Sequence, residues 1–231
     1  MKSRLSPLSK ISNASAASLK SVSRGMLFAG VTGGIGAGKS TFVALLVERG
    51  AQVIDADQLA HDALKPDRPA WHSVVDQFGD EILTPHSMEI DRARLARIVF
   101  HDRHKLVALN AIVHPVVFAG IADALERLRE TDAVVVLDAA LIVETGLNKN
   151  MDALVAVVAD EATRRQRLST SRGMSMDDVD ARMASQTDQE QLESVADIVV
   201  RNDGTLEDLV LEADRVWAEL EILRDPRDQQ E

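Results

Sequence analysis

The apolar positions of the 231-residue chain fall into two kinds of run. Five are short and nearly unbroken: 26–31 (MLFAGV), 52–54 (QVI), 133–137 (AVVVL), 153–158 (ALVAVV) and 198–200 (IVV). Runs of this length, apolar on both sides of the backbone, predict strands of a parallel sheet buried on both faces. Between them the spacing is helical. Residues 39–49 carry apolar side chains at 42, 43, 45, 46 and 47 and stop at Gly50, a helix-terminating residue. Further helices are predicted over 70–78, 92–100, 105–129 with an interruption at Pro115, the charged segment 161–193, and 206–220. Ser175 with Asp178 and Thr205 with Asp208 have the spacing of capping boxes. Alternating strands and helices predict an α/β fold with helices on both faces of a five-stranded sheet. The stretch 55–132 is far longer than the dozen or so residues a strand-to-strand crossover needs, and its pattern is helical, so it reads as an inserted helical subdomain.

Composition narrows the chemistry. There is no cysteine, which excludes a disulfide scaffold, a thiolate metal site and a cysteine nucleophile. Aromatic residues make up 3% and tyrosine is absent, against base-stacking platforms for single-stranded nucleic acid. A net charge of −11 opposes bulk attraction to nucleic acid or an anionic membrane, and no apolar run in the sequence approaches the length of a membrane span. The only charged residues before Glu48 are Lys2, Arg4, Lys10, Lys20, Arg24 and Lys39, so the rest of the chain is strongly acidic. An anion must therefore be bound by a small, local group of cations. Residues 1–25 are expected to be a disordered tail: Ser3 to Ser21 repeat every third residue, a period of neither helix nor strand. The alternative is an organellar transit segment, since the tail is basic, Ser-rich and free of acid. Residues 225–231 are expected to fray. No obligate protein partner is evident, and a cytoplasmic location is expected.

That cationic group is found at Gly33-Gly34-Ile35-Gly36-Ala37-Gly38-Lys39-Ser40, a match to G-x-x-x-x-G-K-[ST] between a predicted strand and a predicted helix. Glycines permit positive φ and leave N–H groups free to wrap a phosphate, and the following helix adds its dipole there. Lys39 supplies a mobile charge for β- and γ-phosphates, the Ser40 hydroxyl a hard ligand for Mg²⁺, and Thr41 a donor toward the α-phosphate. Two classes use such a loop, small-molecule kinases and nucleotide-hydrolysing switches. Asn148-Lys149-Asn150-Met151 begins like a guanine-reading N-K-x-D but has Met151 for the carboxylate, and Asp138-Ala139-Ala140-Leu141 lacks the glycine of a D-x-x-G switch. A helical insertion after the second strand and an Arg-rich segment after the fourth suit a kinase that grips an acceptor and closes over its phosphates to exclude water. Asp55 and Asp57 follow the second strand, at the carboxyl edge of the sheet. With the strand continuing, both carboxylates share one side, and either can accept a hydroxyl proton or hold Mg²⁺ through water. The competing reading is that one of them caps the next helix. Asp57 is the predicted base, with Asp55 and Lys39 as the other catalytic candidates. His61 stands one turn later on the helix surface, and His72, His86, His101 and His104 form no metal-ligand set.

Taken in order, these motifs resemble the dephospho-CoA kinase family from Leu27 to about Leu209. The resemblance rests on the loop Thr32–Thr41, V-I-D-A-D at Val53–Asp57, L-N-x-I-x-H-P at Leu109–Pro115, and an altered D-x-P-L-L-F-E at Asp138–Glu144. It continues through Arg167, Leu168, Arg172, Arg182, Met183 and Gln186 to A-D-x-[VI]-[VI]-x-N-x-G at Ala196–Gly204. It implies a three-layer P-loop kinase domain over 26–231, with a nucleotide-binding core at 26–57, 131–160 and 195–222, an acceptor-binding subdomain at 58–130 and a lid at 161–194. It implies ATP-dependent phosphorylation of the ribose 3′-hydroxyl of dephospho-CoA, with ATP and dephospho-CoA as partners and Mg²⁺ as cofactor. Arg164, Arg167 and Arg172 become lid candidates for the phosphates, Asn202 a candidate near adenine or a loop cap, and His114 and Leu141 candidates on the acceptor side with Asp57. Ala140 and Val143 depart from the family's Pro and Phe, which bears on the shape of that loop and the fit of the acceptor. The alternatives are another P-loop kinase, acting on a nucleoside, a nucleotide or a small metabolite, and a hydrolytic switch.

Overall fold

The computed structural model describes residues 25–172, 180, 183 and 187–225. The tail 1–24, the Ser175–Asp178 spacing, Arg182, Gln186, residues 226–231 and the side chain of Arg172 lie outside the described residues. The chain divides into two compact units, Met1–Ile54 with Arg127–Glu231, and Asp55–Glu126.

The first unit is built on a five-stranded sheet in the order β2-β3-β1-β4-β5, with β1 Leu27–Gly33, β2 Gln52–Asp55, β3 Val134–Asp138, β4 Ala153–Val158 and β5 Ile198–Arg201. β1 pairs in parallel with β3 and β4, and β4 with β5. Side chains alternate across a strand. Leu27, Ala29, Val31, Val134, Val136, Val155, Val157, Ile198 and Val200 therefore form one face, and they pack on Phe42, Val43, Leu45 and Leu46 of α1 (Lys39–Glu48) and on Leu209, Ala213, Val216 and Leu220 of α9 (Leu206–Arg224). The other parity carries Ala156 and Val158, which pack with Val143 of α6 (Ile142–Thr145) and Leu192 of α8 (Gln189–Val195). Near-continuous burial of β1, β3 and β4 is the physical reason their sequences show no polar alternation. α9 opens with the expected box: the Thr205 hydroxyl accepts from Asp208 N–H and the Asp208 carboxylate accepts from Thr205 N–H. At the sheet edge, Arg215 of α9 donates Nη2 to the Val199 carbonyl at 3.2 Å.

The second unit is helical: α2 Ala56–Ala63, α3 Pro69–Phe78, α4 Arg92–Phe100 and α5 Arg103–Leu128. Trp71, Val74, Ile82, Leu83, Ile90, Leu95 and Val99 form its core, with Leu106, Leu109 and Ile112 of α5 against them. The buried indole of Trp71 donates Nε1–H to the Met88 carbonyl at 3.0 Å.

Two expectations need correction here. Helix α5 runs through Pro115 without interruption. Proline removes one N–H and costs about 3 kcal/mol in a helix interior, but Val113, Val117, Ile121 and Leu125 are buried on both sides of it, and their packing outweighs that loss. The same helix reaches the length and hydropathy of a membrane span, because no ionised residue falls between Lys105 and Asp123.

Candidate active site

The phosphate loop follows the central strand, where chain connections leave toward either edge of the sheet. Its local conformation follows from its glycines. Gly36 and Gly38 take φ of 80° and 94°, a region costly for other residues. Gly38 is also the N-cap of α1, with no side chain closing the helix end and no acid in its first turn. Helix α9 in the same unit is capped by its own side chains. The first-turn N–H groups of α1, left without such a cap, are available to an anion. Ser40 and Thr41 present exposed hydroxyls on that turn.

Lys39 is ion-paired to Asp138, and both side chains are mostly buried. Register explains the meeting: Val31, near the end of β1, stands opposite Asp138, the last residue of β3. Asp138 was missed as a site residue. Its signal was its place at the head of the Asp138–Glu144 motif, at the end of the strand beside the loop. That segment is stitched to β1 by backbone: the fully buried Thr32 hydroxyl donates to the Ala140 carbonyl at 3.4 Å, and Ala139 N–H to the Val31 carbonyl at 3.4 Å. A carbonyl is present whichever residue stands at 140, and Val143 packs on the Ala156–Val158–Leu192 cluster. Leu141, the cap of α6, is exposed.

Two of the predicted lid and adenine candidates are found on the loop's outer side. Arg164, on α7 (Glu161–Arg172), is buried and donates Nε–H to the Ile35 carbonyl at 2.9 Å. Burial lowers its pKa from the usual value, without making it neutral at ordinary pH. Asn202, also buried, donates Nδ2–H to the Ala37 carbonyl at 2.8 Å. Arg167 reaches Asn202, with Nη1 at 2.9 Å from its backbone carbonyl.

Within the helical unit, Asp55 is the N-cap of α2: its carboxylate accepts from Gln58 N–H at 2.8 Å. The strand stops there, so the expected alternation that put Asp55 and Asp57 on one side does not hold. The helix begins at Ala56 and carries Asp57, exposed, in its first turn. His61 lies one turn on, its Nδ1 3.4 Å from Arg92 Nη1. His114 stacks obliquely on Phe118 at 5.6 Å, and burial lowers its pKa. Among the described residues no cluster of three His, Asp or Glu stands ready as a metal site.

Residues 27–208 match the family model described as dephospho-CoA kinase. A dephospho-CoA kinase of Streptomyces avermitilis is 46% identical over 195 residues, covering 84% of this chain and 94% of that protein. One of Thermobifida fusca is 42% identical over 196 residues, covering 85% and 97%. Among solved structures, a Thermus thermophilus protein aligns with a TM-score of 0.72 at 35% identity, over 84% of this chain and 97% of that one. The dephospho-CoA kinase of Campylobacter jejuni aligns at 0.64 and 25% identity, over 85% and 98%. With the phosphate loop, the parallel sheet and the helical insertion all inside the matched span, the chain belongs to the dephospho-CoA kinase family of P-loop phosphotransferases.

Proposed function

We propose that the protein transfers the γ-phosphoryl group of ATP to the ribose 3′-hydroxyl of dephospho-CoA, giving coenzyme A and ADP, in the cytoplasm. The observation that carries this reading is the uncapped glycine loop with Lys39 at its head, in a chain that matches dephospho-CoA kinases over nearly their whole length. The loop N–H groups and Lys39 bind the β- and γ-phosphates. Asp57 accepts the hydroxyl proton as the acceptor oxygen bonds to the γ-phosphorus and the bond to the β,γ-bridging oxygen breaks. Lys39 stabilises charge on the moving group, for which it leaves Asp138. Asp55 supports this indirectly, by fixing the start of the helix that carries Asp57.

The donors at the loop fit Mg²⁺. The exposed Ser40 hydroxyl and the Asp138 carboxylate are hard oxygens, and Mg²⁺ takes a few such ligands together with nucleotide phosphates. Bound there, the ion would neutralise phosphate charge. His114 and Leu141 are proposed on the acceptor side.

The test is ADP release from ATP·Mg²⁺ with dephospho-CoA, adenosine, AMP, CMP, shikimate or no acceptor. Turnover confined to dephospho-CoA is expected. Turnover with another acceptor, or with none, would overturn the assignment.

A further inference from the structure

The outer side of the phosphate loop carries an arrangement that the transfer reaction does not explain. Four loop carbonyls are engaged. Gly34 accepts from Ala37 N–H at 3.0 Å and Gly38 from Phe42 N–H at 3.0 Å, which is ordinary turn and helix closure. The Ile35 and Ala37 carbonyls instead point outward and are held by side chains distant in sequence, Arg164 and Asn202. These two and Thr32 are the buried polar or charged residues among those described. Removing such long side chains from water is costly unless a specific partner is gained.

What is gained follows from the planarity of the peptide. In a trans peptide, the C=O of one residue and the N–H of the next point in opposite directions, and this chain has no cis peptides among the described residues. Holding the Ile35 carbonyl on Arg164 turns the Gly36 N–H to the other side of the loop. Holding the Ala37 carbonyl on Asn202 does the same to the Gly38 N–H. Arg164 and Arg167 share one face of α7 and Arg167 bonds Asn202, so both anchors stand on one side of the loop and the N–H groups they orient are turned to the other.

The anchors are themselves fixed. Arg164 and Arg167 are three residues apart on α7, hence on one face, and Arg167 secures Asn202. Glycine at position 34 belongs to the same device. Its φ is not positive, but a methyl group there would lie 2.7 Å from Arg164 Nη2 and 3.2 Å from Nη1. What position 34 needs is room for the guanidinium plane.

We propose that Arg164 and Asn202 are positioning residues that preset the phosphate loop: through the outward carbonyls of Ile35 and Ala37 they hold the Gly36 and Gly38 N–H groups toward the phosphate before nucleotide arrives. Arg167 acts one step behind, through Asn202. This replaces the expectation that Arg164 reaches a phosphate directly, and it rests on the loop being the nucleotide site. Preset donors do not have to reorganise when the anion binds, so affinity for the β-phosphate depends on residues that never touch it.

The test is made first on nucleotide-free protein, where a phosphate contact and a positioning residue differ. Arg164→Met keeps the apolar stem and removes the donor. The expected result is amide hydrogen exchange about tenfold faster across 33–41, with β4 unchanged, and ADP and ATP binding weakened by the same factor of about ten, the scale of one lost hydrogen bond. Arg164→Lys restores part of both, and Asn202→Ala repeats the pattern. Loop exchange unchanged without nucleotide while ATP binding falls would make Arg164 a direct phosphate contact and overturn the proposal. So would unaltered nucleotide binding, or loosening that spreads equally into β4 in both the Arg164→Met and the Asn202→Ala variants. The exchange measurement involves no acceptor, so it stands even if dephospho-CoA proves not to be the substrate.

Discussion

The nucleotide unit and the helical unit hold their candidate functional side chains in opposite ways. In the first, Lys39, Asp138, Arg164 and Asn202 are mostly buried, and each is tied to a partner from another part of the fold. In the second, Asp57 and His61 stand exposed on one helix, and the carboxylate that is fixed, Asp55, is spent on the helix end. The difference teaches where rigidity is useful. A triphosphate presents the same charges to every P-loop protein, so donors can be set in advance. The acceptor differs between kinases, and Asp57, the proposed base, projects from a helix surface in a unit whose core lies elsewhere, around Trp71.

Substitutions can break or sharpen this comparison. The largest effect is expected from Lys39→Ala: turnover falls on the order of 10³-fold or more, as when a cation that stabilises transition-state charge is removed. An ordinary rate of ADP release would break the assignment. Asp57→Asn comes next, with kcat lower by roughly 10²- to 10⁴-fold. Because Asp57 belongs to the other unit, ATP affinity measured by calorimetry should hardly change. Equal losses in both would remove its role as base. Core truncations compare the units directly. Phe42→Ala and Trp71→Ala should each cost about 3–5 kcal/mol in urea unfolding, and Trp71→Ala should leave nucleotide affinity intact in the folded protein. Thr205→Ala removes the cap of α9 and should cost about 1 kcal/mol without a change in KM.

The smallest effect is one of pH. Burial lowers the His114 pKa in the folded state, so the unfolded chain binds the proton more readily. This contribution is complete above the ordinary histidine value of 6.5 and is lost as pH falls through the window below it. Urea midpoints between about pH 7.5 and 5 should decline, and His114→Gln should flatten part of that slope.

How much of this was legible in the chain follows from the distance over which each feature is encoded. The strands, the phosphate loop and the Thr205 cap were legible because each is written in a dozen or fewer neighbouring residues. The edges of the strands shifted by a residue or two, since hydrogen bonding rather than apolarity sets where pairing stops. Asp138 was not legible as the partner of Lys39, because their meeting depends on strand register across 99 residues. Arg164 and Asn202 were picked out by residue type, Asn202 with a loop cap as one of its two readings, but the Ile35 and Ala37 carbonyls they hold were not legible. Guanidinium and amide groups can donate to a phosphate or to a carbonyl, and the packing of α7 and β5 brings carbonyls within reach here. At Pro115 the local rule lost to the burial of four side chains around it. At Asp55 the capping alternative is the one the backbone adopts.

Arg215 on the rim of β5 has a consequence for how crowded copies of this protein treat one another. An outermost strand offers open backbone groups to which a foreign strand can add, the first step of sheet-to-sheet aggregation. β5 is only four residues long, the Val199 carbonyl is already occupied by a guanidinium, and Glu193, Arg201 and Glu212 line the groove beside it with charge of both signs. An incoming strand would have to strip away that guanidinium and desolvate the paired charges for the sake of very few new hydrogen bonds. The β5 rim is thereby a poor template for a foreign strand.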